Sequence, residues 1–472
     1  MAAAAPMPGL DGWSELPAGG SFVDPVHRAS ADPYLVWADV NGFADLRHDG
    51  QAAPDSVRVL VELCKGVTPA RLQKAIEGHG EVGEAYAART ELRHCTARFD
   101  AQTCKRFGDP ANGLVQRFEL AEAVVPRRTP QRPLPPAAPL RRAAAESSSG
   151  ATLLAVIDHG CPFAHAAFRR EGRPRLLSLW DQDRRPAFGT PALPGVVPAN
   201  FGYGREVCRQ EISDLLDACR DGRGAIDEDL CYEAARYPEL RRMATHGAHV
   251  MDQFIGPRRL GDRMVLNGED SPGWRADGGE TSDRADLVFV QLPRDAWADP
   301  NALALPACVL DGLHHVLGYA GKATRRVVVN LSCAITTGPH DGSTIIDAAL
   351  RGLVDAERRR GRTLQIVVPA GNTAQDGCHA AGQIDHRHPG RLRWRVPPGC
   401  EAPCFLQLWP AADAAQLRWT VQAPGAAQPQ EVPDGGLCLV QGGALRALEL
   451  RSTSRARGGS AGCLLVALAA AP

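Results

Sequence analysis

Hydrophobic positions along this chain follow two rhythms, and the change from one to the other divides it. Between Ser56 and Val125 the stretches SVRVLVEL, LRHCTARFD and LVQRFELAEAVV alternate apolar and polar residues, as strands with one buried face do. Between them, TPARLQKAIEGHG has a Thr cap, a Pro at the first helical position and a Gly stop, and AQTCKRFG reads as a second short helix. Residues 56–125 therefore predict a small α+β unit. Residues 1–55 are rich in Gly, Pro and Asp with little periodicity and predict an irregular lead-in, while 126–150 has the proline and small polar residues of a linker.

From Ala151 the pattern changes to continuous apolar runs, TLLAVID, ADLVFVQL, RRVVVNLS and LQIVVPAGN. The segments between them include the helical candidates THGAHVMDQFIG and STIIDAALRGLVDAERRRG. Strands without alternation, separated by helices, belong to a parallel sheet covered on both faces, so 151–375 predicts an α/β core. Beyond it, CFLQLWP, AQLRWTVQAPG, GGLCLVQG, ALRALELRSTS and GCLLVALAA are short strands with Gly/Pro turns. They predict an antiparallel β segment over 376–472.

Composition narrows the function. The chain has 53 Lys plus Arg against 54 Asp plus Glu, a net charge of −1, which gives no electrostatic case for nucleic acid or an anionic membrane surface. No apolar run approaches the ~20 residues of a membrane-spanning helix. The N-terminus MAAAAPMPGLDGWSEL lacks a basic region and an apolar core, so no signal peptide is expected. The 14 cysteines, scattered without a paired framework, then fit reduced thiols in the cytoplasm. Cys378 with His379, and Cys400 with Cys404, have no second matching pair, so no metal site is predicted, and no loop clusters carboxylates with calcium spacing. No cofactor is implied either: IDHGCPFAH after the first long strand supplies one Gly, not a phosphate-binding loop.

Candidate chemistry lies where the apolar strands end. In an open parallel sheet the crevice lies beyond the carboxyl ends of the strands, and Asp158, Asn330 and Asn372 all fall there. His246 opens a helical stretch, and Gly247 beside it permits close approach of another backbone. Taken singly, each has an ordinary reading: Asp158 as a strand-end turn residue, His246 as a cap or core histidine, Asn372 as a turn residue. Taken together, an aspartate brought out of water beside a histidine makes sense if it orients the imidazole and stabilises the cation formed when His takes a proton. Asn372 then offers an amide donor to an oxyanion.

AVIDHG, THGAHV, VVVNLS and VVPAGN, in that order, resemble the Asp, His, substrate-strand and oxyanion motifs of the subtilisin-like (S8) serine peptidases. LSLWDQD and GPHDGSTIIDAAL are similar to a bacterial branch in which an extra β segment follows the oxyanion Asn. The resemblance implies a subtilisin-like fold over about Ala151 to Asn372 and a peptide or protein substrate. It also implies Asp158 as orienter, His246 as general base, Asn372 as oxyanion donor and Ser332, Cys333 and Ala334 as a wall for the substrate backbone. Residues 56–125 resemble in pattern the small propeptide domains of the family, an intramolecular partner.

The chain departs from the pattern at Ala248, where Thr is usual, and at Cys333-Ala334, where Leu-Gly is usual. The larger departure is at the nucleophile, since no segment matches Gly-Thr-Ser-Met-Ala-x-Pro at the head of a long helix. The nearest is Ser454 in STSRARGGSAGCLLVALAAAP, which lacks the Pro, and whose CLLVALAA also reads as the last strand of the β segment. The expectation is that the chain stops within or just after that segment, before the Ser motif. Two functions follow: a serine endopeptidase, or a non-catalytic peptide-binding descendant of the same fold.

Overall fold

The computed structural model describes residues 22–46, 54–124, 146–170, 173–183, 195–241, 244–255, 265–266, 269–270, 285–396, 403–410, 417–422, 427–432, 437–439, 445–450 and 463–468. The chain is mixed α/β, with a mostly parallel central sheet and separate antiparallel sheets.

The first sheet is built around β1 (Ser56–Leu63), which pairs antiparallel with β3 (His94–Asp100) and β4 (Val115–Leu120); β2 (Gly80–Val82) adds to the far side of β3. Helix α2 (Pro69–Ala75) starts where the sequence places it, with Thr68 Oγ1 accepting from the Arg71 amide and Pro69 leading the helix. Two more helices belong to this unit, α3 (Glu84–Ala87) and α4 (Ala101–Gly108).

The lead-in is not uniformly irregular. Residues Pro33–Val40 form helix α1, capped by Asp32, with Tyr34, Leu35, Val36 and Trp37 all buried. A helix buried on every side has no polar face, so it carries no helical periodicity to read.

The central sheet contains β5 (Thr152–Asp158), β6 (Leu176–Asp181), β7 (Arg205–Cys208), β8 (Asp286–Gln291), β9 (Arg326–Leu331) and β10 (Thr363–Val367), in the order β10-β9-β5-β8-β6-β7. Five strands are parallel and β7 runs antiparallel on the β6 edge. Both faces are covered, as the unbroken apolar runs require. Leu153, Ala155 and Ile157 of β5 face one core together with Val288 and Val290 of β8, while Leu154, Val156, Leu287 and Phe289 face the other. On the first side lie α9 (Leu305–Gly318) and α10 (Ile345–Arg359), with the N-terminal sheet packed over them. On the second lie α5 (Arg209–Ala218), α6 (Glu228–Ala234) and α7 (His246–Ile255); α8 (Arg294–Ala298) follows β8. Among the described residues strand β10 pairs on one side only, and Val367 and Val368 at its end are 50% and 58% exposed.

The C-terminal region is antiparallel. Strands β11 (Cys404–Leu408), β12 (Leu437–Leu439), β13 (Leu445–Leu450) and β14 (Cys463–Leu468) form a sheet in the order β11-β14-β13-β12. Among the described residues no helix is long and apolar enough to cross a membrane.

Candidate active site

Asp158 is the last residue of β5 and His246 the first of α7, and the fold joins them across 88 residues. The His246 Nδ1 lies 2.7 Å from Asp158 Oδ1, which also accepts from the His159 amide at 2.7 Å. Asp158 is wholly buried, whereas the His246 side chain is 48% exposed. Burial pushes the Asp158 carboxyl above its usual range, and the hydrogen bonds from His246 and the His159 amide pull it partly back. Its second oxygen is buried with no hydrogen-bond partner among the described residues.

The N-terminus of α7 is clamped onto the turn that follows Asp158. The Gly247 amide donates to His159 O at 2.9 Å, and Thr245 Oγ1 donates to Gly160 O at 2.6 Å. A Cβ on Gly247 would stand 2.7 Å from His159 O, so this is the point of close approach expected from the sequence. A Cβ on Gly160, whose φ is +86°, would stand 2.4 Å from Thr245 Cβ. Thr245 and Gly160 thus fix where the imidazole stands, although neither carries a motif signal of its own.

Trp297, in α8, is a third unforeseen member. Its ring centroid is 5.1 Å from that of His246 and 6.1 Å from that of His159, and it is 39% exposed. It therefore forms an aromatic wall beside the exposed imidazole. Only the spatial neighbourhood of β8's end reveals it.

On the other side of β5, β9 ends beside Asp158 in register, with Leu331 opposite Ile157. Ser332, Cys333 and Ala334 continue beyond it outside the sheet, and Asn330 Nδ2 donates to Ser332 Oγ at 2.7 Å. Burial, with the Asp158 charge adding to it, raises the Cys333 thiol to about 12, so Cys333 is a packed neutral thiol. The turn carrying Asn372 lies next to this segment: Gly371 has φ +87°, and a Cβ there would sit 3.9 Å from Ala334 Cβ. Asn372 itself is exposed. The structure thus gathers Asp158 with His246, and the Asn372 turn with Ala334, around the ends of three neighbouring strands.

Ser454 lies outside the described residues. A long helix beginning there would have to run through 463–468, and those residues instead form β14, paired with β11 and β13. The strand reading is the one the structure adopts over Cys463–Leu468. Cys378 and His379 are exposed, and Cys400 lies outside the described residues.

Another serine–histidine pair deserves separation from this site. Ser178 Oγ is 3.1 Å from His315 Nε2 and 2.9 Å from Glu206 Oε1, which also accepts from the Tyr319 hydroxyl. Ser178 is 0% exposed, and His315 and Glu206 are 7% exposed, so no substrate reaches it. The group ties β6, β7 and α9 together. A cavity of about 90 Å³ lies elsewhere, bounded by Asp32, Tyr34, Arg117, Glu119, Gln407 and Trp409, and includes neither Asp158 nor His246. No family model and no curated protein matches this chain.

Proposed function

We propose that this chain is built on a subtilisin-like serine peptidase core and hydrolyses peptide bonds through Asp158, His246 and a serine, Ser454 being the candidate within the sequence. The observation carrying this reading is the 2.7 Å pairing of a half-exposed histidine with a fully buried aspartate at the carboxyl ends of a parallel sheet. With Nδ1–H donated to Asp158, His246 presents Nε2 as the free base. Its task is to take the hydroxyl proton as the serine attacks a peptide carbonyl, and then to give that proton to the leaving amine. Ser332 to Ala334 would hold the substrate backbone and Asn372 would donate to the oxyanion. A cytoplasmic location belongs to this proposal.

A second reading, a peptide-binding descendant without catalysis, is favoured by β14, because residues 463–468, which follow Ser454, form a strand and not the long helix that the family resemblance attaches to the nucleophile. Fluorophosphonate labelling of the folded chain, read beside casein hydrolysis, separates the two. Labelling at Ser454 that is lost in His246→Ala and Ser454→Ala supports the peptidase. A folded chain that neither labels nor hydrolyses casein rejects it for this sequence.

A further inference from the structure

We propose that the N-terminal antiparallel sheet is a permanent half of this protein's core, held by a buried ionic clamp, so the site is not controlled by release of a detachable prosegment. The inference goes beyond the peptidase reading and stands on contacts that do not involve it.

The clamp centres on Asp311 of α9, which is 1% exposed. Its Oδ1 accepts from the Tyr86 hydroxyl at 2.5 Å and Thr96 Oγ1 at 2.6 Å; its Oδ2 accepts from Arg58 Nη2 at 2.5 Å and the Tyr203 hydroxyl at 2.7 Å. Three of these four donors come from the N-terminal sheet unit: Arg58 from β1, Tyr86 from α3 and Thr96 from β3. Arg58 is itself 6% exposed and places Nη1 3.3 Å from Cys308 Sγ of α9. A second clamp lies at the end of α10, where Glu357, 0% exposed, accepts from Arg89 of the N-terminal unit and from Arg362, both at 2.8 Å.

Interfaces between separable domains are more polar than obligate ones, and exposed ion pairs there contribute little. Here the charges are central and dry: Asp311 and Glu357 are 1% and 0% exposed, and Arg58 and Arg89 are 6% and 8% exposed. Removing the N-terminal unit takes three of four donors from Asp311, leaving it the Tyr203 hydroxyl, and takes Arg89 from Glu357; breaking a buried ion pair from one side is the expensive way to break it. The apolar contacts agree: Val59, Val61 and Phe99 of the N-terminal sheet share one continuous core with Leu310, Leu313 and Leu353 of the central helices. The lead-in closes the arrangement from the other side, with Tyr34 and Trp37 of α1 edge-on to Phe405 of β11 at 5.0 and 4.7 Å. Leaving would therefore strip the C-terminal sheet as well.

The test uses the full chain with a site-specific protease sequence inserted between Arg132 and Pro133, cut after folding and passed over a sizing column at low micromolar concentration. Co-elution of the two fragments supports the proposal. So does a remainder that unfolds or precipitates once urea strips the N-terminal fragment away. Separation in native buffer, leaving a remainder that melts cooperatively, overturns it. In the same nicked protein Asp311→Asn should lower the urea concentration that separates the fragments, and a midpoint unchanged from the parent overturns the clamp's role. Association is the readout, so absent hydrolysis in these samples counts against the peptidase reading alone.

Discussion

Asp158 has surrendered hydration for two donors to one oxygen, the His246 imidazole and the His159 amide, and its other oxygen has none among the described residues. Replacing His246 by Ala should therefore cost stability as well as any activity, about 1–3 kcal/mol for a buried acceptor left short of a donor. The sign of its pH dependence follows from the raised carboxyl. His246 is one of the groups that pull the buried carboxyl down, so its loss raises the folded carboxyl further and disfavours the charged form, and the penalty in His246→Ala should be larger at pH 8 than at pH 4. Urea unfolding at the two pH values measures it, and an equal penalty would falsify this account of the pair. Gly160→Ala tests the clamp on α7. Its φ of +86° and the 2.4 Å approach to Thr245 predict a loss of about 2–4 kcal/mol, whereas Ala at the open, similarly twisted Gly113 should cost less. Of these residues, Asp158, His246 and Gly247 were legible because strand ends and helix starts can be read locally. Thr245, Gly160 and Trp297 were not, because what they touch is distant in sequence and their types are common.

Among the elements, α9 shows why reading stops where it does. LPACVLDGLHHVLG is buried along nearly its whole length, between the central sheet and the N-terminal one, so it lacks the polar stripe that betrays an amphipathic helix. By contrast α10, with a charged outer face, was plain in STIIDAALRGLVDAERRRG. The burial of α9 has a measurable consequence through His314, which packs tilted against Tyr86 with ring centroids 4.3 Å apart and has no partner for Nε2 among the described residues. Burial, with the Arg89 and Arg360 charges adding to it, lowers His314 to about 3. A histidine kept neutral contributes fully above its unfolded pKa near 6.5, and the contribution is lost as pH falls toward the folded value. Each pH unit below 6.5 should therefore cost up to about 1.4 kcal/mol through this residue. His314→Leu should flatten the fall in urea midpoint between pH 6 and pH 4, and a slope identical to the parent's would remove His314 as the cause.

For the whole molecule, the class of fold was readable because parallel strands buried on both faces leave uninterrupted Val, Ile and Leu runs, and antiparallel ones leave alternation. The assembly of sheets was not, since the pairs that join them, such as Arg58 with Asp311, are separated by 253 residues. Nor did the lead-in announce that it would reach β11, because α1 has apolar neighbours all round. One feature of the architecture bears on how the protein behaves in a tube. Among the described residues strand β10 has no neighbour on its outer side, and Val367 and Val368 at its end stand half in water. Such an edge templates pairing between chains. Light scattering should accordingly rise with concentration on storage, and lysine at both valines should suppress it without shifting the melting temperature by more than a few degrees. For a chain with net charge near zero, that strip sets the colloidal limit.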